Sequence, residues 1–88
     1  MYNYFALIGK VEEIRIDSST IIMAVNKPFR NADGIYLTDF IKVAYWSGLE
    51  NYVREYVHEN QTISITGHID GDGQNIHLVA DKFIFLEK

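Results

Sequence analysis

Cysteine is absent from the sequence, which excludes disulfides, thiolate catalysis and cysteine-ligated zinc. Proline occurs once in 88 residues, so extended or helical segments can run far without interruption. No apolar run approaches the length needed to span a membrane, and "MYNYFALIGK" lacks a basic leader followed by a long apolar core. A soluble, cytoplasmic protein with no membrane partner is expected. Basic residues are scarce as well. Eight Lys and Arg stand against twelve Asp and Glu, a net charge of −4. That balance argues against a polyanionic ligand, since nucleic-acid binders are commonly basic. It does not decide the matter, because the Debye length is about 8 Å at physiological salt and a local patch is what a ligand feels.

What the chain does have is apolar and aromatic surface, 48% and 14% of its residues. Residues 1–88 are short enough to form one domain, and so small a domain buries only a thin core. Some aromatic side chains are therefore expected outside, at a subunit interface or beneath a ligand.

The order of elements follows from periodicity and punctuation. "YFALIGKVEEIRI" reads as a long strand with Phe5, Leu7, Gly9 and Val11 on one side, Gly9 marking a bulge or a close backbone approach. "DSS" (17–19) is a turn and "TIIMAVNK" (20–27) a second strand. "PFRNADG" (28–34) reads as a loop. "YLTDFIKVAYW" (36–46) is a third strand with apolar residues on both faces. "SGLENYVREYVHEN" (47–60) carries Leu49, Tyr52, Val53, Tyr56 and Val57 at helical spacing, with Ser47 and Glu50 spaced as a capping box and Asn60 at the exit. "QTISITGHI" (61–69) alternates, placing Ile63, Ile65, Gly67 and Ile69 inward; "DGDG" (70–73) turns, and "QNIHLVADKFIFLEK" returns. Strand, strand, strand, helix, strand, strand is the order of the oligonucleotide/oligosaccharide-binding (OB) fold. The expected class is all-β, a five-stranded Greek-key barrel with one helix between strands three and four.

The third strand raises the functional question. One face carries Tyr36, Thr38, Phe40, Lys42, Ala44 and Trp46, and ligands of such barrels lie on strands two and three. Unpaired bases stack on aromatic rings for about 1–3 kcal/mol each, almost regardless of base identity, while a neighbouring cation meets phosphate. Phe40 and Trp46, with Tyr36 and Phe29, make a row of platforms; Lys42, Lys27 and Arg30 lie among them. A dimer interface would use the same rings, and pattern alone weighs the two equally.

Other candidates fail on chemistry. "DGDGQN" (70–75) begins like a calcium loop, but its sixth position is Asn75 instead of glycine and its twelfth is Asp81 instead of glutamate. His68 and His77 would face each other across a turn at Asp72-Gly73, yet two histidines are too few for zinc. His58 is a helix-end histidine, Ser47 is explained by capping, and Asp33 with Asp39 has no supporting feature as an acid–base pair. Neither enzyme activity nor a cofactor or metal is expected.

The stretch "AVNKPFRNADGIYLTDFIKVAYWSGLENYVREYV" (24–57) resembles the bacterial single-stranded DNA-binding proteins, as do "ALIGKV" near the start and "LVADKFIFLEK" at the end. The likeness spans nearly the whole chain. It implies an OB fold, often a homo-oligomer (dimer or tetramer), wrapping single-stranded DNA with little sequence preference in replication, recombination or repair. The family's stacking positions fall on Phe29, Phe40 and Trp46, and a basic position on Lys42. There are departures. The first hairpin is cut to "VEEIRIDSST", the last is short and acidic, and Gly48 stands where a lysine is common. The family's acidic tail does not follow Leu86-Glu87-Lys88, so recruitment of partners through it is not expected. The competing reading is a protein–protein module on the same scaffold, such as an accessory replication or primosome subunit, with weak or no DNA binding.

Overall fold

The computed structural model describes residues 3–86. Five strands form β1 (Phe5–Arg15), β2 (Thr20–Arg30), β3 (Tyr36–Tyr45), β4 (Thr62–Gly71) and β5 (Ile76–Phe85), with helix α1 (Glu50–Tyr56) between β3 and β4. The strands close into a barrel in the order β1-β2-β3-β5-β4. β1 serves two neighbours: Phe5–Lys10 pairs with β4, and Lys10–Arg15 with β2. The barrel shuts where β3 and β5 run parallel through two pairs, Ala44 with Val79 and Tyr45 with Ala80. This is the expected OB architecture.

Alternation fills the interior. Val11, Ile21, Met23, Val43, Ile63 and Ile65 are fully enclosed, and Val53 and Val57 of the helical segment join the same cluster. Gly9 is required by a close approach. A Cβ there would sit 2.4 Å from the Ala24 carbonyl oxygen, so only glycine lets β1 lie against β2 at this level. The bulge itself lies further along, between Val11 and Glu13.

Several local expectations are corrected. β2 continues through Pro28 to Arg30, although 28–34 reads as a loop. Proline has no N–H to give to the ladder, and pairing with β3 is irregular between Asn26 and Arg30. The connection that remains is organised by Asn31, whose Oδ1 accepts from the Asp33 and Ile35 N–H groups at 2.9 and 3.0 Å. The helix is much shorter than 47–60. Ser47–Leu49 form a 3-10 turn, and no side chain caps the helix. Leu49 N–H donates to the Trp46 carbonyl, and the Glu50 carboxylate accepts from Arg54 one turn on instead of reaching back. Tyr52 and Tyr56 stay partly exposed, Tyr52 stacking on Phe83 with ring centroids 5.9 Å apart. Asn60 falls beyond the helix, in a left-handed turn with φ 71°.

Ile63, Ile65 and Gly67 face inward, whereas Ile69 is exposed. The last hairpin turns at 72–75: Asp72 N–H donates to the Asn75 carbonyl and Asn75 N–H to Asp72 Oδ1. His77 is therefore paired with Asp70 and His68 with Val79, so the two histidines do not face each other. His68 instead lies 3.0 Å from Asp81, and His77 lies 3.5 Å from Asp72. Among the described residues no cluster of His, Asp or Glu could hold a metal ion, and no helix is long and apolar enough to cross a membrane.

Candidate nucleic-acid interface

The outer face of the β2–β3 pair is built by register. Outward residues meet as Ala24 with Phe40, Ile22 with Lys42 and Thr20 with Ala44, and Asn26 with Thr38 nearer the tip. Inward, Ile41 packs against the core and Val43 and Tyr45 are buried. That fixes Phe40 and Lys42 to project away from the barrel. Trp46 continues the alternation, because its backbone is still extended (φ −82°, ψ 161°). Phe40 and Trp46 are 63% and 60% exposed, so neither ring is sunk in the interior. Along the strand, Lys42 follows Phe40 by about 7 Å and Trp46 by about 20 Å at the usual rise per residue.

Trp46 has a particular support. A Cβ on Gly48 would fall 2.0 Å from Cζ3 of the indole, so the ring lies directly over that glycine. One side of the indole rests on backbone and the rest of it meets solvent.

At the tip, the Arg30 guanidinium lies 5.2 Å from the centroid of the Tyr36 ring, and the two residues are paired across the strands. They share the face of Phe40, since Tyr36 alternates with it. Phe29 is 64% exposed but sits in the irregular stretch of β2, where alternation does not assign it a side. Lys27 is placed elsewhere. Its ammonium is 2.8 Å from the Asp39 carboxylate, and Asp39 shares the face of Ile41, opposite to Phe40. The structure thus brings Tyr36, Arg30, Phe40, Lys42 and Trp46 onto one surface and holds Lys27 behind it.

Register also adds a residue that periodicity did not select. Lys10 pairs with Ala24, which pairs with Phe40, so the three form one row across β1, β2 and β3. The alternation of Phe5, Leu7 and Gly9 already turned Lys10 outward, but only cross-strand pairing puts it beside Phe40. Asn26 and Thr38 lie on this face as well, joined by a 3.2 Å hydrogen bond.

Two perturbed groups flank this surface without entering it. Burial pushes the Tyr45 hydroxyl above its ordinary pKa, with Ser19 beside it opposing the shift. The Asp72 carboxyl is held below its usual range, first by the Asn75 backbone N–H and then by His77. Neither resembles a catalytic acid or base aimed into a cleft.

A closed five-stranded barrel in this strand order, with a helix between β3 and β4, is an OB fold. Comparison with known proteins narrows this. No family model matches the chain. Single-stranded DNA-binding protein 1 of Streptococcus pyogenes (serotype M18, strain MGAS8232) is 31% identical, the alignment covering 100% of this chain and 81% of that protein. Single-stranded DNA-binding protein 4 of Streptococcus agalactiae (serotype V) is 33% identical over 100% of this chain and 76% of its own length. Among solved structures, the mitochondrial single-stranded DNA-binding protein of S. cerevisiae superposes with TM-score 0.76 at 15% identity, covering 99% of this chain and 97% of the other. A Plasmodium falciparum complex with single-stranded DNA gives TM-score 0.69 at 16% identity, covering 99% and 96%. These two structures speak for the fold. The chain belongs to the bacterial single-stranded DNA-binding protein family.

Proposed function

We propose that this protein binds single-stranded DNA without sequence preference, by stacking bases on the outward face of β3. The observation that carries the reading is the pair of exposed rings, Phe40 and Trp46, with the exposed Lys42 between them along the same face of the strand. Among the described residues Lys42 makes no ion pair, so it meets a phosphate at no cost in broken bonds. Tyr36 with Arg30 extends the surface toward the hairpin tip, where Phe29 is also exposed. Because Phe40 and Trp46 stand about 20 Å apart along the strand, they take separate bases, with nucleotides bridging between them. The action is binding and not catalysis, in replication, recombination or repair, in the cytoplasm, by a chain that self-associates as a dimer or tetramer.

Each stack is worth about 1–3 kcal/mol, so Phe40→Ala and Trp46→Ala are each expected to weaken oligo(dT) binding by about tenfold, read by anisotropy of a labelled oligonucleotide. In the unsubstituted protein Trp46, the one tryptophan, is expected to lose fluorescence on binding. A titration to high micromolar protein with no quenching and no anisotropy change would sink the proposal and favour the protein–protein reading.

A further inference from the structure

Beside Phe40, an open groove of about 670 Å³ runs across the outer surface of the barrel toward β1. Gly9, Lys10, Ala24 and Phe40 are among its lining residues, and the register sets Lys10 and Phe40 on opposite sides of Ala24. Two interstrand steps separate the Lys10 and Phe40 backbones, about 10 Å. The residue between them is alanine, so nothing taller than a methyl group divides ring from ammonium. Lys10 is exposed and, among the described residues, has no ion-pair partner. Glu12 is the one carboxylate on the groove, two residues along, where the bulge shifts β1 relative to β2.

We propose that this groove seats the nucleotide stacked on Phe40, the base lying over Ala24 and the Lys10 ammonium taking the adjoining phosphate. The inference rests on the single-stranded DNA reading and deepens it. Phe40 then has a cation on two sides, Lys42 along its own strand and Lys10 across the sheet. The polynucleotide is led over β2 onto β1 instead of following β3 alone. Glu12 opposes the same phosphate and sets where the seat ends. A seat of this shape grips the backbone and a base face, which suits binding that ignores sequence.

The test is a titration of oligo(dT) at several salt concentrations, following Trp46 fluorescence, with the molecular mass measured in the same buffers. Releasing one phosphate contact on a single strand reduces the slope of log K against log salt by about 0.7. Lys10→Ala is expected to lose that much slope while quenching at saturation is unchanged. Lys82→Ala removes an exposed lysine of β5 that has no ion-pair partner among the described residues, and is expected to keep the full slope. Glu12→Gln is expected to tighten binding. If the unsubstituted protein does not bind, both readings fall together. If it binds and quenches but Lys10→Ala retains the full slope, only the seat is overturned. A Lys10→Ala protein of lower mass, weaker but with unchanged slope, would place Lys10 in a contact between copies of the chain and also overturn the seat.

Discussion

Trp46 and Gly48 act as a unit. The indole lies where any Cβ at position 48 would have to be, and a side chain can swing away where backbone cannot. Gly48→Ala is therefore expected to displace the ring with little loss of stability, within about 0.5 kcal/mol by urea unfolding. It should shift the tryptophan emission and weaken oligo(dT) binding severalfold. An unchanged spectrum with full affinity would show that the ring does not depend on its glycine bed. At this scale the sequence was partly legible. Phe40, Lys42 and Trp46 follow from alternation on one strand, and their exposure agrees with it. Lys27 does not follow, because its side is decided by a partner twelve residues away, Asp39, reached only once β2 and β3 are paired. Lys10 escaped for the same reason, its relation to Phe40 being a matter of register across three strands.

At the level of elements, strands were easier to read than the helix. β4 and the inner half of β3 alternate cleanly because one face is buried. The observed helix is shorter than its pattern suggests: the stripe of Leu49, Tyr52, Val53, Tyr56 and Val57 looks continuous, but the chain begins it as a 3-10 turn and leaves at Val57 in extended conformation. The spacing of Ser47 and Glu50 fits a capping box, but a 3-10 start offers its N–H groups different partners. Gly9 was legible as a close approach, and it makes an element-scale test. An added methyl group would collide with the Ala24 carbonyl oxygen, and backbone must give way. Gly9→Ala is expected to destabilise the barrel by about 1–3 kcal/mol, read as a lower urea midpoint at unchanged m-value. No shift in midpoint would mean that β1 and β2 are free to part there.

For the whole molecule, the interest lies in a chain of net charge −4 offered a polyanion. Few cations can take part. Lys27 is committed to Asp39, Arg15 to Glu13 and Arg54 to Glu50, and Arg30 is shared with the Tyr36 ring. With two or three phosphate contacts per chain, log K is expected to fall against log salt with a slope of roughly −2. Binding measured between low and physiological salt checks this, and a slope several times steeper would show that charge, not stacking, dominates. The fold as a whole was legible because element order, chain length and glycine placement agree on one topology. What could not be read was the row of Lys10, Ala24 and Phe40, which forms only after strands distant in sequence become neighbours.

The margin at which β3 meets β5 joins by two residue pairs, Ala44 with Val79 and Tyr45 with Ala80. Every other neighbouring pair of strands is laced along five residues or more. The cylinder is thus a wrapped ribbon fastened by a short clasp, and Lys42 and Trp46 sit just to either side of it. On the proposed path a polymer pulled taut over those two side chains bears on the clasp, so the proposed grip coincides with the shortest seam in the wall.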